Sequence, residues 1–194
     1  MYASDYETKA IYASLNPRTK DDADRLFEKM AEYVIREHYD CPHCYPHTPA
    51  SVDKEVGEVD IYGYEREEEA SDVIRIWVGE CKLRRASEDK LITTGEVRQL
   101  VQKRRSIKAY EEKKRGGAVE IHSFMISNAK NMDTDAWKEA AKIKNFRFLS
   151  TRLISNWQNR SDWRIVEVFE KRPILVGSSW QAKSIQIFNL EAKI

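Results

Sequence analysis

The order of periodicities between residues 73 and 127 constrains this 194-residue chain most. Residues 73–82 are rich in β-branched side chains (Val73, Ile74, Ile76, Val78) and include Trp77, the composition of a strand. Residues 94–115 switch to helical spacing. Val97, Leu100, Val101, Ile107 and Tyr110 share a stripe there, and Gly116-Gly117 is the stop signal. Residues 119–127 return to a strand with an apolar tip, Phe124-Met125-Ile126. A strand or a helix alone cannot bury its apolar face, so the three must share a core.

The flanking segments extend that frame. Thr19-Lys20-Asp21-Asp22 reads as a helix start with Thr19 as cap, and Ala23, Leu26, Phe27, Met30 and Val34 carry the helix to about His38. Residues 56–62 alternate, which predicts a strand with Val59 and Ile61 on one face and Glu58, Asp60 and Tyr62 on the other. With the strand at 73–82 they form a hairpin whose turn is the acidic segment 65–72. Asp133 or Thr134 caps a third helix with Ala136, Trp137, Ala140, Ala141 and Ile143 inside, and Phe146-Arg147-Phe148-Leu149 is a short strand. From Thr151 to Ile194 one short helix and two or three strands are expected, at 165–169, 174–176 and 185–190. The predicted fold class is α/β, a mixed β-sheet flanked by helices with a β-rich C-terminal extension. It is read as a single domain over residues 1–194, with a core at about 20–150 and the extension at 151–194.

Composition narrows the function. A hydrophobic share of 41% with only 7 Gly and 5 Pro excludes a disordered or collagen-like chain. No run of 18 apolar residues and no leader pattern occur, so a soluble, cytoplasmic protein without a membrane partner is expected. Three cysteines, an odd number, argue against a disulfide framework. Lys+Arg 33 against Asp+Glu 32 conceals a local asymmetry. Residues 53–72 carry nine acids and two bases, whereas residues 82–115 carry twelve bases and five acids. An enzyme that binds a metal and acts on a polyanion would show this, as would solvated faces that neutralise each other. No Gly-rich phosphate loop, Ser/His/Asp order or HExxH pattern is present.

Asp60 and the triplet Glu80-Cys81-Lys82 carry the chemistry. Glu80 and Lys82 lie two apart on a strand and leave it on one face, and Asp60 lies on the neighbouring strand of the hairpin. Carboxylates converging on Mg²⁺, with a cation beside the attacking water, are what phosphodiester hydrolysis needs. The chain holds six Glu-x-Lys triplets, so the triplet alone says little. Only the one at 80–82 ends an apolar run after a strand that supplies an Asp. The bland alternative is an exposed ion pair at a sheet rim.

Gly57-Glu58-Val59-Asp60-Ile61 followed by Val78-Gly79-Glu80-Cys81-Lys82 closely resembles the core of PD-(D/E)XK nucleases. It is most similar to archaeal Holliday junction resolvases and to the nuclease domains of methylation-dependent restriction enzymes. Val59 departs from the family's proline before the first aspartate. The resemblance covers roughly residues 20–150 by element order and implies a restriction endonuclease-like sheet. It implies a hydrolase, a DNA-binding endonuclease dependent on Mg²⁺ or Mn²⁺, acting on duplex or branched DNA in defence, recombination or repair. Asp60 and Glu80 would bind the metal, the Cys81 carbonyl would add a ligand, and Lys82 would orient or activate water. Glu28, after Phe27 on the first helix, would extend the metal site, ahead of Glu32, and Gln99 would position a phosphate or Lys82. Arg98, Lys103, Arg104 and Arg105 would track the nucleic-acid backbone, or simply solvate a helix face. A catalytically silent nucleic-acid-binding module and an RNA-cleaving member of the superfamily are the competing readings.

Two further expectations concern partners and a second metal. His38, Cys41, Cys44 and His47 follow one another at spacings of three, with zinc's preferred ligand types, and form a candidate structural Zn²⁺ cluster. A reduced loop with an incidental cluster is the alternative, since no second ligand pair exists elsewhere. A homodimer, with the β-rich tail as its interface, would suit cleavage of both strands of a duplex. Trp157, Trp163 and Trp180 are read as packing residues and His122 as structural.

Overall fold

The computed structural model describes residues 20–39, 41, 43–46, 56–64, 74–84, 91–155 and 163–189. Helix α1 (Lys20–His38) has the expected stripe. Ala23, Leu26, Phe27, Met30, Ala31, Val34 and Ile35 are all buried at alternating steps of three and one. Strand β1 (His43–Pro46) follows, then β2 (Ile61–Tyr64) and β3 (Ile74–Lys82). Helix α2 (Thr94–Arg115) starts at a reciprocal capping box between Thr93 and Glu96. It stops at Gly116, whose φ of 68° is the left-handed conformation that glycine adopts without strain. Strand β4 (Val119–Ser127), helix α3 (Thr134–Ala140, capped by Asp133) and strand β5 (Phe146–Ser155) complete the alternation. A hairpin of β6 (Trp163–Val176) and β7 (Ser179–Asn189) closes the order.

The molecule is α/β, with all seven strands in one mixed sheet in the order β1-β2-β3-β4-β5-β6-β7. Strands β1 to β3 are antiparallel, β3 to β5 parallel, and β5 to β7 antiparallel. Each parallel step needs a crossover, which α2 and α3 supply on one face. That face buries Ile76, Val78, Ile121, Met125, Phe146 and Phe148 against Leu100, Ile107 and Trp137. Helix α1 covers the other face, where Leu26, Phe27 and Val34 meet Ile61, Trp77, Phe124, Ile126 and Leu149. A sheet covered on both faces explains why β3 and β4 read as near-continuous apolar runs.

Four expectations change. Strand β2 begins at Ile61 rather than Val56, because Gly57 takes φ 83° and the chain bends at Asp60. Alternation is therefore broken before the strand starts: Val59 packs on the α2 face and Ile61 on the α1 face. The short strand at 146–149 is the first half of a ten-residue strand that pairs with β6. The strands expected at 165–169 and 174–176 are one, and Thr151–Ser155, in the stretch expected to hold a short helix and further strands, belong to β5. Strand β5 thus crosses the expected boundary at residue 150. The hairpin turn at 65–72 and the cap Thr19 lie outside the described residues. Among the described residues no helix is long and apolar enough to cross a membrane.

Gly79 lets β2 approach β3. A Cβ there would stand 3.1 Å from Ile61 Cβ and 3.6 Å from Ile126 Cδ1. Overpacking of this kind costs about 1–3 kcal/mol. Gly79→Ala is expected to lower the unfolding free energy by that order, read as a lower urea midpoint with an unchanged m-value. An unchanged midpoint would show that Ile61 is free to give way.

Candidate active site

The site gathers at the carboxyl end of β3, where open α/β sheets bind ligands. Ile61 pairs with Gly79, so one step outward Asp60 stands opposite Glu80. The bend that ends the alternation turns the Asp60 carboxylate onto the backbone, and its Oδ2 accepts the Cys81 N–H at 2.6 Å. Glu80 follows Ile76 and Val78 on the α2 face and is 2% exposed. Lys82 Nζ donates to Glu80 Oε2 at 3.3 Å and Lys103 Nζ to Oε1 at 2.5 Å.

Electrostatics tie these groups together. Burial, then the charge of Asp60, raises the Glu80 pKa despite the pull of Lys103 and Lys82. Burial disfavours the Lys82 ammonium, but the charges of Glu80 and Asp60 outweigh it and hold its pKa above the usual lysine range. The two carboxylates thus favour the charged form of Lys82. Glu28, half-buried on α1, is pushed up to about 7, first by burial and then by Asp60, Asp24 and Glu58. The Cys81 thiol is raised well above its ordinary value by burial, then by Asp60, Glu28 and Glu80. The charge of Asp60 thus opposes ionisation of both Glu28 and Glu80, an opposition that a hard divalent cation would relieve. Among the described residues no three His, Cys, Asp or Glu side chains are gathered closely enough to hold a metal as they stand. Glu80 is instead turned onto its two lysines.

The exit from β3 is locked. Ser127 Oγ donates to the Lys82 carbonyl at 2.5 Å. Asn128 accepts from the Arg84 N–H at 2.6 Å and donates to its carbonyl at 2.8 Å. The Arg84 guanidinium forks onto both oxygens of Glu96, at 2.8 and 2.6 Å.

Other expected site residues fall elsewhere. Gln99 is exposed, and Lys103, one turn further along α2, is the residue that reaches Glu80. Lys103 is thus engaged in an ion pair, not held ready for a phosphate. Its spacing of four from Gln99 was the available signal. Arg98 pairs with Glu139 at 3.0 Å and Arg105 is exposed. Arg104 lies on the inward stripe of α2 between Leu100 and Ile107, its pKa lowered by burial and by Arg105. Glu32 is taken by Arg36 at 3.5 Å. In the Cys/His segment, Cys41 is fully buried with the apolar α1 cluster, while His38 is exposed. The side chains of Cys44 and His47 lie outside the described residues.

No protein-family model, curated protein or solved structure matches this chain.

A carboxyl raised from 4.5 to about 7 binds its proton more tightly in the folded state. The stability this contributes is complete below the unfolded value and is lost as pH rises through the folded one. Thermal melts between pH 4 and 8 should therefore show wild type losing stability relative to Glu28→Gln as pH rises towards about 7. Parallel pH profiles for the two proteins would rule out the raised pKa.

Proposed function

We propose that this chain is a metal-dependent nuclease that hydrolyses DNA phosphodiester bonds, an endonuclease acting in DNA defence, recombination or repair. The reading rests on one observation: a buried Glu80, faced by Asp60 and flanked by a charged Lys82, at the carboxyl end of β3. The resemblance of the Asp60 and Glu80-Cys81-Lys82 segments to PD-(D/E)XK nucleases supports it. Asp60 and Glu80 would hold Mg²⁺ or Mn²⁺, with Glu28 and the Cys81 carbonyl extending the set. Bound there, the metal would neutralise the scissile phosphate and make a water more acidic. The Lys82 ammonium would stabilise the charge that grows on the phosphoryl oxygens as water adds and the ester P–O bond breaks. Lys103 neutralises Glu80 without a metal and has to yield its place to one. The cytoplasm is the proposed compartment. A homodimer is the proposed assembly, supported by exposed Leu175, Val176 and Ile185 on the β6–β7 hairpin.

The Lys103 contact also favours a second reading, a catalytically silent nucleic-acid-binding module in which lysines replace the metal. Two measurements separate them. Plasmid, linear duplex, branched and single-stranded DNA, with RNA alongside, are incubated with Mg²⁺, Mn²⁺ or EDTA. Cleavage of DNA is expected only with metal, and Lys82→Ala should lose about 10²-fold or more, the scale of removing one charge-stabilising donor. Equal behaviour of wild type and Lys82→Ala on every substrate would sink the nuclease reading. In calorimetry Mn²⁺ should bind wild type, and Lys103→Ala more tightly, since a competing ammonium is gone. Nucleic-acid affinity without Mn²⁺ binding would establish the silent module.

A further inference from the structure

The β-rich end of the chain shares a face with the candidate active site. Lys82 pairs with Ser127, Ser127 with Ser150, and Ser150 with Phe169. One row inward, Glu80 pairs with Met125, Met125 with Phe148, and Phe148 with Lys171. Partners directly opposite across a sheet project on the same side. Phe169 and Lys171 therefore lie on the face of Glu80 and Lys82, three strand spacings away, or about 14 Å.

A groove of about 400 Å³ opens at this place, lined by Lys130, Ser150, Arg152, Phe169, Lys171 and Ser184 among others. Its inner wall is the loop after β4. On one side Asn128 of that loop clasps the Arg84 backbone, two residues after Lys82. On the other side Ser150 Oγ donates to the Ala129 carbonyl at 2.8 Å, and the Lys171 ammonium donates to the Lys130 carbonyl. The wall of the groove and the strand that carries Lys82 are thus one connected piece. Register shifts at Arg152/Leu153 in the β5–β6 pair and at Val168/Phe169 in the β6–β7 pair bracket the groove, and such bulges re-aim side chains.

The lining has a defined chemistry. Three cations (Lys130, Arg152, Lys171) face one carboxylate, Glu167, which Arg152 already holds at 2.6 Å. Burial lowers the Lys171 pKa, so an anion beside it would be favourable. Phe169, half-buried, adds a flat apolar surface between Ser150 and Gln186 on the flanking strands. An aromatic ring and lysines in one lining suit a ligand that is planar at one end and anionic at the other, in a volume typical of small-molecule sites.

We propose that this groove binds one unstacked nucleotide of a nucleic-acid strand, with Phe169 against its base and Lys130 and Lys171 on the adjoining phosphates. The groove thereby sets which part of a strand is presented to Asp60, Glu80 and Lys82. This rests on the nuclease reading for its purpose but not for its measurement, because binding is read in EDTA, where no cleavage occurs.

The test uses a fluorescein-labelled single-stranded 20-mer DNA, its duplex, and a 20-mer carrying 2-aminopurine, titrated by anisotropy and fluorescence at several salt concentrations. Wild type should prefer the single strand and quench 2-aminopurine. Phe169→Ala should weaken single-strand binding about fivefold or more and abolish the quench. Lys171→Ala should weaken it similarly and reduce the salt slope by about 0.7, one phosphate contact on a single strand. Lys138→Ala, on α3 and paired with Asp135, should bind as wild type. Phe169→Leu keeps the apolar volume, so it should retain the fold while still losing the quench. Groove variants that bind within twofold of wild type with an unchanged slope would overturn the proposal even if the protein cleaves DNA. So would failure of wild type to bind the single strand. Variants that lose binding in a protein that never cleaves would keep the groove and overturn the nuclease reading.

Discussion

A carboxylate taken out of water at the end of a strand must be neutralised or it will not stay ionised, and the architecture around Glu80 answers that requirement. Lys82 arrives from the same strand by the two-residue period, and Lys103 arrives from α2 because the crossover between β3 and β4 lays that helix over the same face. Asp60 works against them: its charge raises the Glu80 pKa, so the pair of acids is held together by cations and opposed by mutual repulsion. The locked exit from β3, through Ser127, Asn128 and the Arg84–Glu96 fork, keeps Lys82 from relaxing away. Removing either lysine would leave a buried charge underpaired, which costs more than an ordinary surface ion pair is worth.

Glu80 has two buried counterparts, and the contrast is informative. Glu111 on α2 accepts the Tyr62 hydroxyl at 2.5 Å and the Arg115 Nε at 2.7 Å, fastening the end of α2 to β2. Glu170 on β6 accepts the Tyr39 hydroxyl and pairs with Arg172 and Arg147, fastening the end of α1 to the far strands. Both tyrosines are pushed above their ordinary pKa by burial and by these carboxylates, so each is a permanent hydroxyl donor. Tyrosine and arginine make closed, fully donated clasps, which is what a structural carboxylate needs. Glu80 has neither. Its donors are two point-charge ammoniums, Lys82 and Lys103, with the acid Asp60 opposite, so its ion pairs lack the directional fork of arginine and the fixed hydroxyl of tyrosine.

Much of this was legible in the residues. The helix over Thr94–Arg115 was readable to the residue because capping and stop signals are local: a capping box at Thr93–Glu96 and a left-handed Gly116. The stripe of α1 was readable because an amphipathic period needs no partner to be recognised. Asp60, Glu80 and Lys82 stood out because a charged triplet at the end of an apolar run violates the pattern around it. Local signals failed where backbone geometry changed without a change in composition. Nothing in Val56 to Asp60 distinguishes a strand from an extended segment that bends at Gly57 and Asp60, so Val59 was assigned to the wrong face. Lys103 was legible only as one more base on a basic helix, whereas Gln99, expected to position a phosphate or Lys82, is exposed. The azimuth of a helix against its sheet follows from packing, and a stripe interrupted by Arg104 and Glu111 leaves that azimuth loosely specified.

The amino-acid sequence by itself determined the kinds and order of the elements, the two-sided apolar burial of β3 and β4, and the proximity of Glu80 to Lys82, since each depends on residues within a few positions. Tertiary structure alone decided which distant groups meet. It placed Asp60 against the Cys81 N–H, Lys103 on Glu80, Tyr39 on Glu170, and Phe169 and Lys171 of β6 on the face that carries Lys82. Those meetings depend on strand register and crossover side. Both are set by how the whole sheet packs, where a single-residue slip would send every side chain of a strand to the opposite face.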